Sequence, residues 1–242
     1  GRIEKVGVEN VDITGNVDVG GLVGTNGGTI TESYATGSVS GDGFNVGGLV
    51  GDGRLGIVKK SYATGDVSGD SNVGGLVGNG GTVEKSYATG SVSGGRNVGG
   101  LVGQGVSLTV TGSYYDTETT GQSSSEGGTG LTTSEMIGSA ATSNMDGFDF
   151  TSTWETVPED YPMLVWQTDG NGNTIDSDSN GDDERTGGMD EGNGGSNGSD
   201  RENTAENSSG TEGSEGLPGF TVLTAVLALL TVVAAAVRQR EE

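Results

Sequence analysis

The sequence predicts an all-β chain wound as a parallel β-helix, and three observations carry that expectation. A block of the form VGGLVG stands at 19–24, 46–51, 73–78 and 98–103, so Gly20, Gly47, Gly74 and Gly99 recur at spacings of 27, 27 and 25. A second block, SYATG, stands at 33–37, 61–65 and 86–90 and returns altered as SYYDT at 113–117. The joints wobble instead: 8, 9, 7 and 9 residues after VGGLVG, and 7, 6 and 6 after SYATG. Fixed blocks with variable joints are the mark of strands and turns in a stacked repeat.

In chain order, residues 1–16 read as an earlier, degenerate turn of the same pattern. From there to residue 117 the blocks carry β-branched and aromatic residues in short runs, and no 3.6-residue period appears. The joints carry NGG at 26–28 and 79–81 and DG at 52–53, residue types that tolerate positive φ. A period near 27 with three short strands suits one coil. Coils about 4.8 Å apart, five or so of them, would span roughly 25 Å. Stacking lines up Val46, Val73 and Val98, then Leu49, Leu76 and Leu101, then Tyr34, Tyr62, Tyr87 and Tyr114. Neighbouring coils cover each other's faces, so each needs few apolar residues. That accounts for 30% hydrophobic and 5% aromatic residues in a chain of 242.

The 118–168 stretch reads as a cap that ends the array and shields the last coil. It opens as a polar loop. LTTSEMIG then holds a capping box from Thr132 to Glu135, predicting a short helix near 133–137. Phe148, Phe150, Trp154, Tyr161, Leu164 and Trp166 supply its apolar surface. Residues 169–216 hold 13 acidic residues against 2 basic and almost nothing apolar, which predicts a disordered, charge-extended stalk. Asn197 and Asn207 head Asn-X-Ser triplets of the N-glycosylation form. At 217–242, Pro218, Gly219 and Phe220 precede an apolar run from 220 to 237. At about 1.5 Å per residue that run is just long enough to cross a bilayer as a helix. Arg238 and Arg240 beyond it place the tail inside and residues 1–216 outside.

The net charge of −23 argues against a nucleic-acid partner and gives the composition a halophile-like character. The absence of Cys and His excludes disulfides, thiolate chemistry and the commonest general base and metal ligand. The chain starts at Gly1 without an apolar signal stretch and is read as a fragment or a processed chain.

Candidate chemistry is sparse. GDGRLG at 51–56 fits the dinucleotide fingerprint, but IVKKSYATG after it is a strand pattern where the fingerprint needs a helix, so it reads as a turn. DSDSNGDDE at 176–184 places Asp176, Asp178 and Asn180 at calcium-loop positions. Gly187 stands where the closing Glu belongs, leaving a solvated linker with weak Ca²⁺ binding as the alternative. Asp18, Asn45, Asn72 and Asn97 precede each VGGLVG, as an amide ladder along the stack or the lining of a sugar groove. The tyrosine column poses the same choice between core and carbohydrate platform. Lys60 aligns with Lys85, and Lys59 with Glu84 as a pair across coils. Asp42, Asp52, Asp66 and Asp70 do not align, and no nucleophile or paired-carboxylate constellation appears, so the chain is read as non-catalytic and free of cofactors.

VGGLVG followed by SYATGSVSG resembles GLUG repeats over roughly residues 6–168, with SYYDTETTGQSSSEGGTGLTTSEM and the YP before MLVW resembling the usual end of such arrays. The resemblance implies a non-catalytic part of a bacterial or archaeal surface protein. The tail resembles an archaeal PGF-CTERM sorting signal: acidic spacer, Pro218-Gly219-Phe220, apolar helix, basic end. That resemblance implies removal of the helix by an archaeosortase, a lipid anchor, and a haloarchaeal cell surface or S-layer. The expected function is therefore adhesion or envelope structure, with the membrane, an archaeosortase-type processing enzyme and envelope glycans or other cells as partners. Two alternatives stand beside it: the C-terminal spacer and anchor of a larger secreted peptidase or polysaccharide-active enzyme, and a carbohydrate-binding module.

Overall fold

The computed structural model describes residues 1–168; the expected stalk at 169–216 and membrane helix at 220–237 lie outside the described residues. Among the described residues no helix is long and apolar enough to cross a membrane. The chain winds into a parallel β-solenoid of about four turns. One sheet stacks Arg2–Glu4, Thr29–Thr31, Ile57–Lys59, Thr82–Glu84 and Thr109–Thr111 in register. A second holds the strands that begin at the SYATG blocks, and a third stacks Val23–Thr25, Val50–Asp52, Val77–Asn79 and Val102–Gln104. The repeat blocks thus meet their own copies one coil away, as in-register stacking requires.

Each coil encloses two cores. In the main one, Ile30, Val58 and Val83 from the first sheet meet Leu49, Leu76 and Leu101 and then Val50, Val77 and Val102 from the third. Ala35, Ala63 and Ala88 close it from the second sheet. A smaller lobe arises because the second-sheet strand doubles back on itself. Within Tyr34–Gly47, Asp66–Gly74 and Val92–Gly99, pairs such as Val39 and Val46, or Val67 and Val73, meet inside the bend. Glycine lines the inside of that bend because a Cβ at Gly41 would lie 2.5 Å from a Val46 methyl group.

The paired glycines sit where backbones meet. A Cβ at Gly47 would lie 2.1 Å from the Val50 carbonyl oxygen of its own coil, and one at Gly75 would lie 2.2 Å from the Gly100 carbonyl of the next. The last glycine of the block serves the neck between the lobes: a Cβ at Gly78 would lie 2.6 Å from the Val46 backbone nitrogen one coil away. These residues mark places where no side chain fits between hydrogen-bonded coils.

The 118–168 segment divides between two places in the fold. The end of the stack is closed by Tyr115, which takes the alanine position of the last coil, and by the loop that follows. There the Gly100 N–H donates to the Ser124 carbonyl at 3.1 Å, and the Val102 N–H to Ser125 Oγ at 2.9 Å. The strand Thr129–Leu131 then pairs with Tyr114–Asp116. The aromatic stretch expected over the last coil runs instead as a strap back along the side of the stack. It contains the helix Thr133–Met136, a second short helix Ala141–Asn144, and an antiparallel pair formed by Trp154–Glu155 and Met163–Leu164. The physical reason is the tyrosine column, an apolar stripe on the outside of the second sheet that this stretch buries. The expected capping box forms in part: the Glu135 carboxylate accepts from the Thr132 N–H at 2.8 Å, which holds its carboxyl below the usual range. Lys59 and Glu84 are register partners, yet no ion pair joins them among the described residues. Long side chains on a half-exposed face gain little by giving up water for each other.

Replacing Gly75 by Val should cost about 3 kcal/mol or more, since the Cβ clashes with a backbone oxygen that the stack holds in place. Replacing Gly27 by Ala, where no atom lies within 4 Å, should leave the melting temperature nearly unchanged. Equal melting of both variants would remove close packing as the reason for the glycine pair.

Candidate functional site

Three columns of repeated residues run along the stack, and two of them, the Asp/Asn row and the tyrosine column, are those the sequence singles out. Asp18, Asn45, Asn72 and Asn97 take left-handed backbone conformations, with φ of 53°, 62°, 57° and 50°. Asparagine tolerates this region better than other non-glycine residues, and the chain must turn there from the small lobe into the neck. Their side chains make a continuous row. Asn97 Nδ2 donates to Asn72 Oδ1 at 2.8 Å, Asn72 to Asn45 at 2.8 Å, and Asn45 to Asp18 Oδ1 at 2.7 Å. A carboxylate can only accept, so Asp18 sets the direction of every amide above it. Its other oxygen accepts from Thr25 Oγ1 at 3.2 Å.

A serine row runs parallel to it. Lys5, Glu32, Lys60 and Lys85 also turn through positive φ, and the residue after each carries the link. The N–H of Val6, Ser33, Ser61 and Ser86 donates to the hydroxyl of Ser33, Ser61, Ser86 and Ser113 respectively, at 3.1–3.2 Å. Each of these hydroxyls donates in turn to the carbonyl two residues before it. In the sequence this row shows only as a serine, a poor strand former, held at one position through four coils. At the same corners Glu32 lies within 3.9 Å of Lys5 and 3.8 Å of Lys60.

The tyrosine column points away from the solenoid interior, while Ser33 and Ala35 on the opposite face point in. The rings of Tyr34 and Tyr62 stack at 5.0 Å and 5°, and those of Tyr62 and Tyr87 at 5.0 Å and 1°. The strap covers them. Trp154 packs against Tyr62 and Tyr87, Phe148 against Tyr114, and Trp166 against Tyr34. Each phenol has a partner: Tyr34 with Glu9, Tyr62 with Gln167 at 3.1 Å, Tyr87 with the Pro162 carbonyl at 2.7 Å, and Tyr114 with the Asp146 carbonyl at 3.0 Å. Tyr161 of the strap donates to Asp116 Oδ2 at 2.6 Å, tying the strap to the last coil. Burial pushes the Tyr34 phenol up to about 12, helped by Glu9, and the Tyr161 phenol up to about 12, helped by Asp116. Burial also raises those of Tyr62 and Tyr87 above the ordinary 10.0.

The GDGRLG stretch is followed by the strand Ile57–Lys59, without the helix that a dinucleotide site needs. It does form a local clip: Arg54 Nε lies 2.9 Å from both carboxylate oxygens of Asp52, and Nη2 reaches the same group. Among the described residues no group of three or more acidic side chains lies together as a metal site would require. Asp176, Asp178, Asn180, Asn197, Asn207, Pro218, Gly219 and Phe220 lie outside the described residues.

Comparison with known proteins agrees with the coil geometry. A family model described as the GLUG motif matches residues 15–40. Halomucin of Haloquadratum walsbyi is 48% identical over 66 residues, which make up 26% of this chain and 1% of halomucin. A candidate Gly-rich membrane protein of Evansella cellulosilytica is 38% identical over 159 residues, 63% of this chain and 13% of that protein. The chain therefore spans only a small part of either relative. Among solved structures, a candidate immunoglobulin A1 protease from Bacteroides ovatus superposes with a TM-score of 0.50 at 22% identity, over 69% of this chain and 58% of that one. At that identity the likeness is one of fold.

Asn72→Ala should cost about 2 kcal/mol, because it breaks the row in the middle and puts a Cβ-bearing residue without a local bond at positive φ. Asn72→Gly should recover the backbone part of that loss, and denaturant unfolding of both variants separates the two contributions. A second expectation concerns pH. Below pH 10 the phenols are protonated in folded and unfolded chains alike, so their contribution is intact. Above it the unfolded chain ionises first, and stability should fall as pH rises toward about 12. Thermal melting of the parent and a Tyr62→Phe variant checks this; the variant should show the shallower fall.

Proposed function

We propose that the chain is a non-catalytic module of a cell-surface protein, held at an archaeal envelope by its C-terminal sorting signal and serving adhesion or envelope structure. The observation that carries this reading is that the aligned columns are occupied with structure. The asparagine row and the serine row bond coil to coil, and the strap buries the tyrosine column. Repetition in this fold therefore serves rigidity, which is what a surface module needs in place of disulfides. The GLUG match and the two relatives, one described as halomucin and one as a membrane protein, support a surface setting. Pro218-Gly219-Phe220 with the apolar run behind it supports attachment through the membrane and an archaeosortase-type enzyme. Asn197 and Asn207 would make the acidic segment that holds them, 169–216, a glycosylated stalk.

A second reading makes the coils the spacer of a larger secreted enzyme. It draws on the fold neighbour being described as a protease and on the small share of each relative that the chain spans. Fractionation of cells producing the chain with and without residues 217–242 tests the anchoring reading. The intact chain should stay with the envelope, the shortened one should appear in the medium, and retention of both would overturn it.

A further inference from the structure

The corner between the third and first sheets is where the coils differ most. Two longer joints, 52–60 and 104–112, flank a shorter one at 79–85. The short joint turns through Gly80 and Gly81, both at positive φ, and the flanking loops lean over it. A Cβ at Gly80 would lie 2.0 Å from the Val106 carbonyl and 2.9 Å from Arg54 Cγ. A notch of about 440 Å³ opens at this corner, lined by Thr25, Asn26, Asp52, Arg54, Leu55 and Ser107. That is the size of a small-ligand site.

The lining pairs one cation, Arg54, with the carboxylate of Asp52 and leaves part of the guanidinium free. Asp52 is 4% exposed and grips Arg54 through Nε, Nη2 and the backbone N–H, the last at 3.0 Å. The guanidinium is thereby fixed in orientation, while Nη1 makes no bond to the protein among the described residues. With Nε and Nη2 held by Asp52, Nη1 and the outer side of the guanidinium remain to meet a second acceptor. Ser107 turns through φ of 53°, a conformation that costs free energy, and its hydroxyl is uncommitted among the described residues. Leu55 stands 87% exposed at the rim. The backbone around the notch is already paired from coil to coil: the N–H groups of Asn26, Gly53 and Gly80 donate to Asp52, Asn79 and Gln104. An added peptide strand would find no free edge there, which leaves recognition to hydroxyls, one cation and an apolar rim.

We propose that the notch binds a carboxylated sugar, a uronate unit of an acidic polysaccharide. Arg54 Nη1 takes the carboxylate, Ser107 and Thr25 meet ring hydroxyls, and Leu55 covers a ring face. This deepens the adhesion reading by naming a ligand class, and it is testable apart from anchoring. The experiment is calorimetric titration of the full-length chain with a short oligogalacturonate, its methyl-esterified form, and an oligoglutamate of matched charge. Only the oligogalacturonate should give saturable binding. Arg54→Lys, which can still pair with Asp52, should weaken it about tenfold, and Leu55→Ser, at a position free to change, about threefold. Arg96→Lys makes the same exchange at an exposed site elsewhere and should change nothing. Thermal melting confirms that each variant is folded. Absence of binding, or affinity unchanged in both Arg54→Lys and Leu55→Ser, overturns the proposal. Equal binding of the esterified sugar overturns the role of the carboxylate, and equal binding of oligoglutamate replaces the sugar with an acidic peptide. Because the titration is done in solution, its failure leaves anchoring untouched, and release or retention of the shortened chain leaves the titration untouched.

Discussion

Everything in this fold depends on the short distance at which one coil lies on the next. Hydrogen-bonded strands stand about 4.8 Å apart, and a solenoid imposes that spacing on every position around the coil, corners and necks included. Strands meet it without special residues because their side chains leave the sheet plane. Corners and necks do not, and there the chain uses glycine where two backbones meet and residues tolerant of positive φ where it turns. The clash distances at Gly47, Gly75 and Gly78 are the direct expression of this. Once the spacing holds, a polar side chain that repeats from coil to coil is within reach of its own copy. The asparagine row follows from that, and so does the serine row, which links a backbone N–H to a hydroxyl one coil away.

The same spacing explains a composition too poor in apolar residues for an ordinary core. Leu49, Leu76 and Leu101 are each fully buried because a copy of the same residue lies on at least one side. Polar rows inside such a stack are economical for the same reason: an asparagine that both donates to one copy and accepts from another needs no partner from elsewhere. Asp18 shows what ends a row of this kind. It accepts from Asn45 and from Thr25 and has no proton with which to donate further.

What was legible in the sequence was whatever the repeat itself enforces. The Val, Leu and Tyr columns, the asparagine row, the turn character of GDGRLG and the short helix after Thr132 all follow from residue type and spacing. The relation between columns did not. Neighbouring strand residues such as Tyr34 and Ala35 face opposite ways, but residue type does not say which faces the solenoid interior, because both faces are buried, one by the coils and one by the strap. The strap itself could be recognised as an aromatic stretch and yet not be placed. An apolar segment covers the nearest exposed apolar surface, and the tyrosine stripe offers more of it than the end of the stack, already filled by Tyr115. The small lobe was hidden because a strand that doubles back, as Asp66–Gly74 does, keeps the β-branched composition of a straight one. The Asp52 and Arg54 clip was hidden because it occurs once.

Residues that occur once are where this fold can carry specificity. A column must satisfy the same spacing in each coil, so it selects residues for how they meet their copies, and it leaves little freedom to meet anything else. The tyrosine stripe did meet something else: the strap docked there because the column presents a continuous surface, and it used that surface up. Freedom returns where the repeat breaks. A joint two residues shorter than its neighbours needs no change in any sheet, since Val50, Val77 and Val102 stay in register across it. Yet it lets Val106 and Arg54 of the flanking loops approach Gly80, beside a notch lined in part by Arg54, Leu55 and Ser107. In a stack whose regular positions are committed to one another, the irregular joints are the part of the sequence free to answer to a partner.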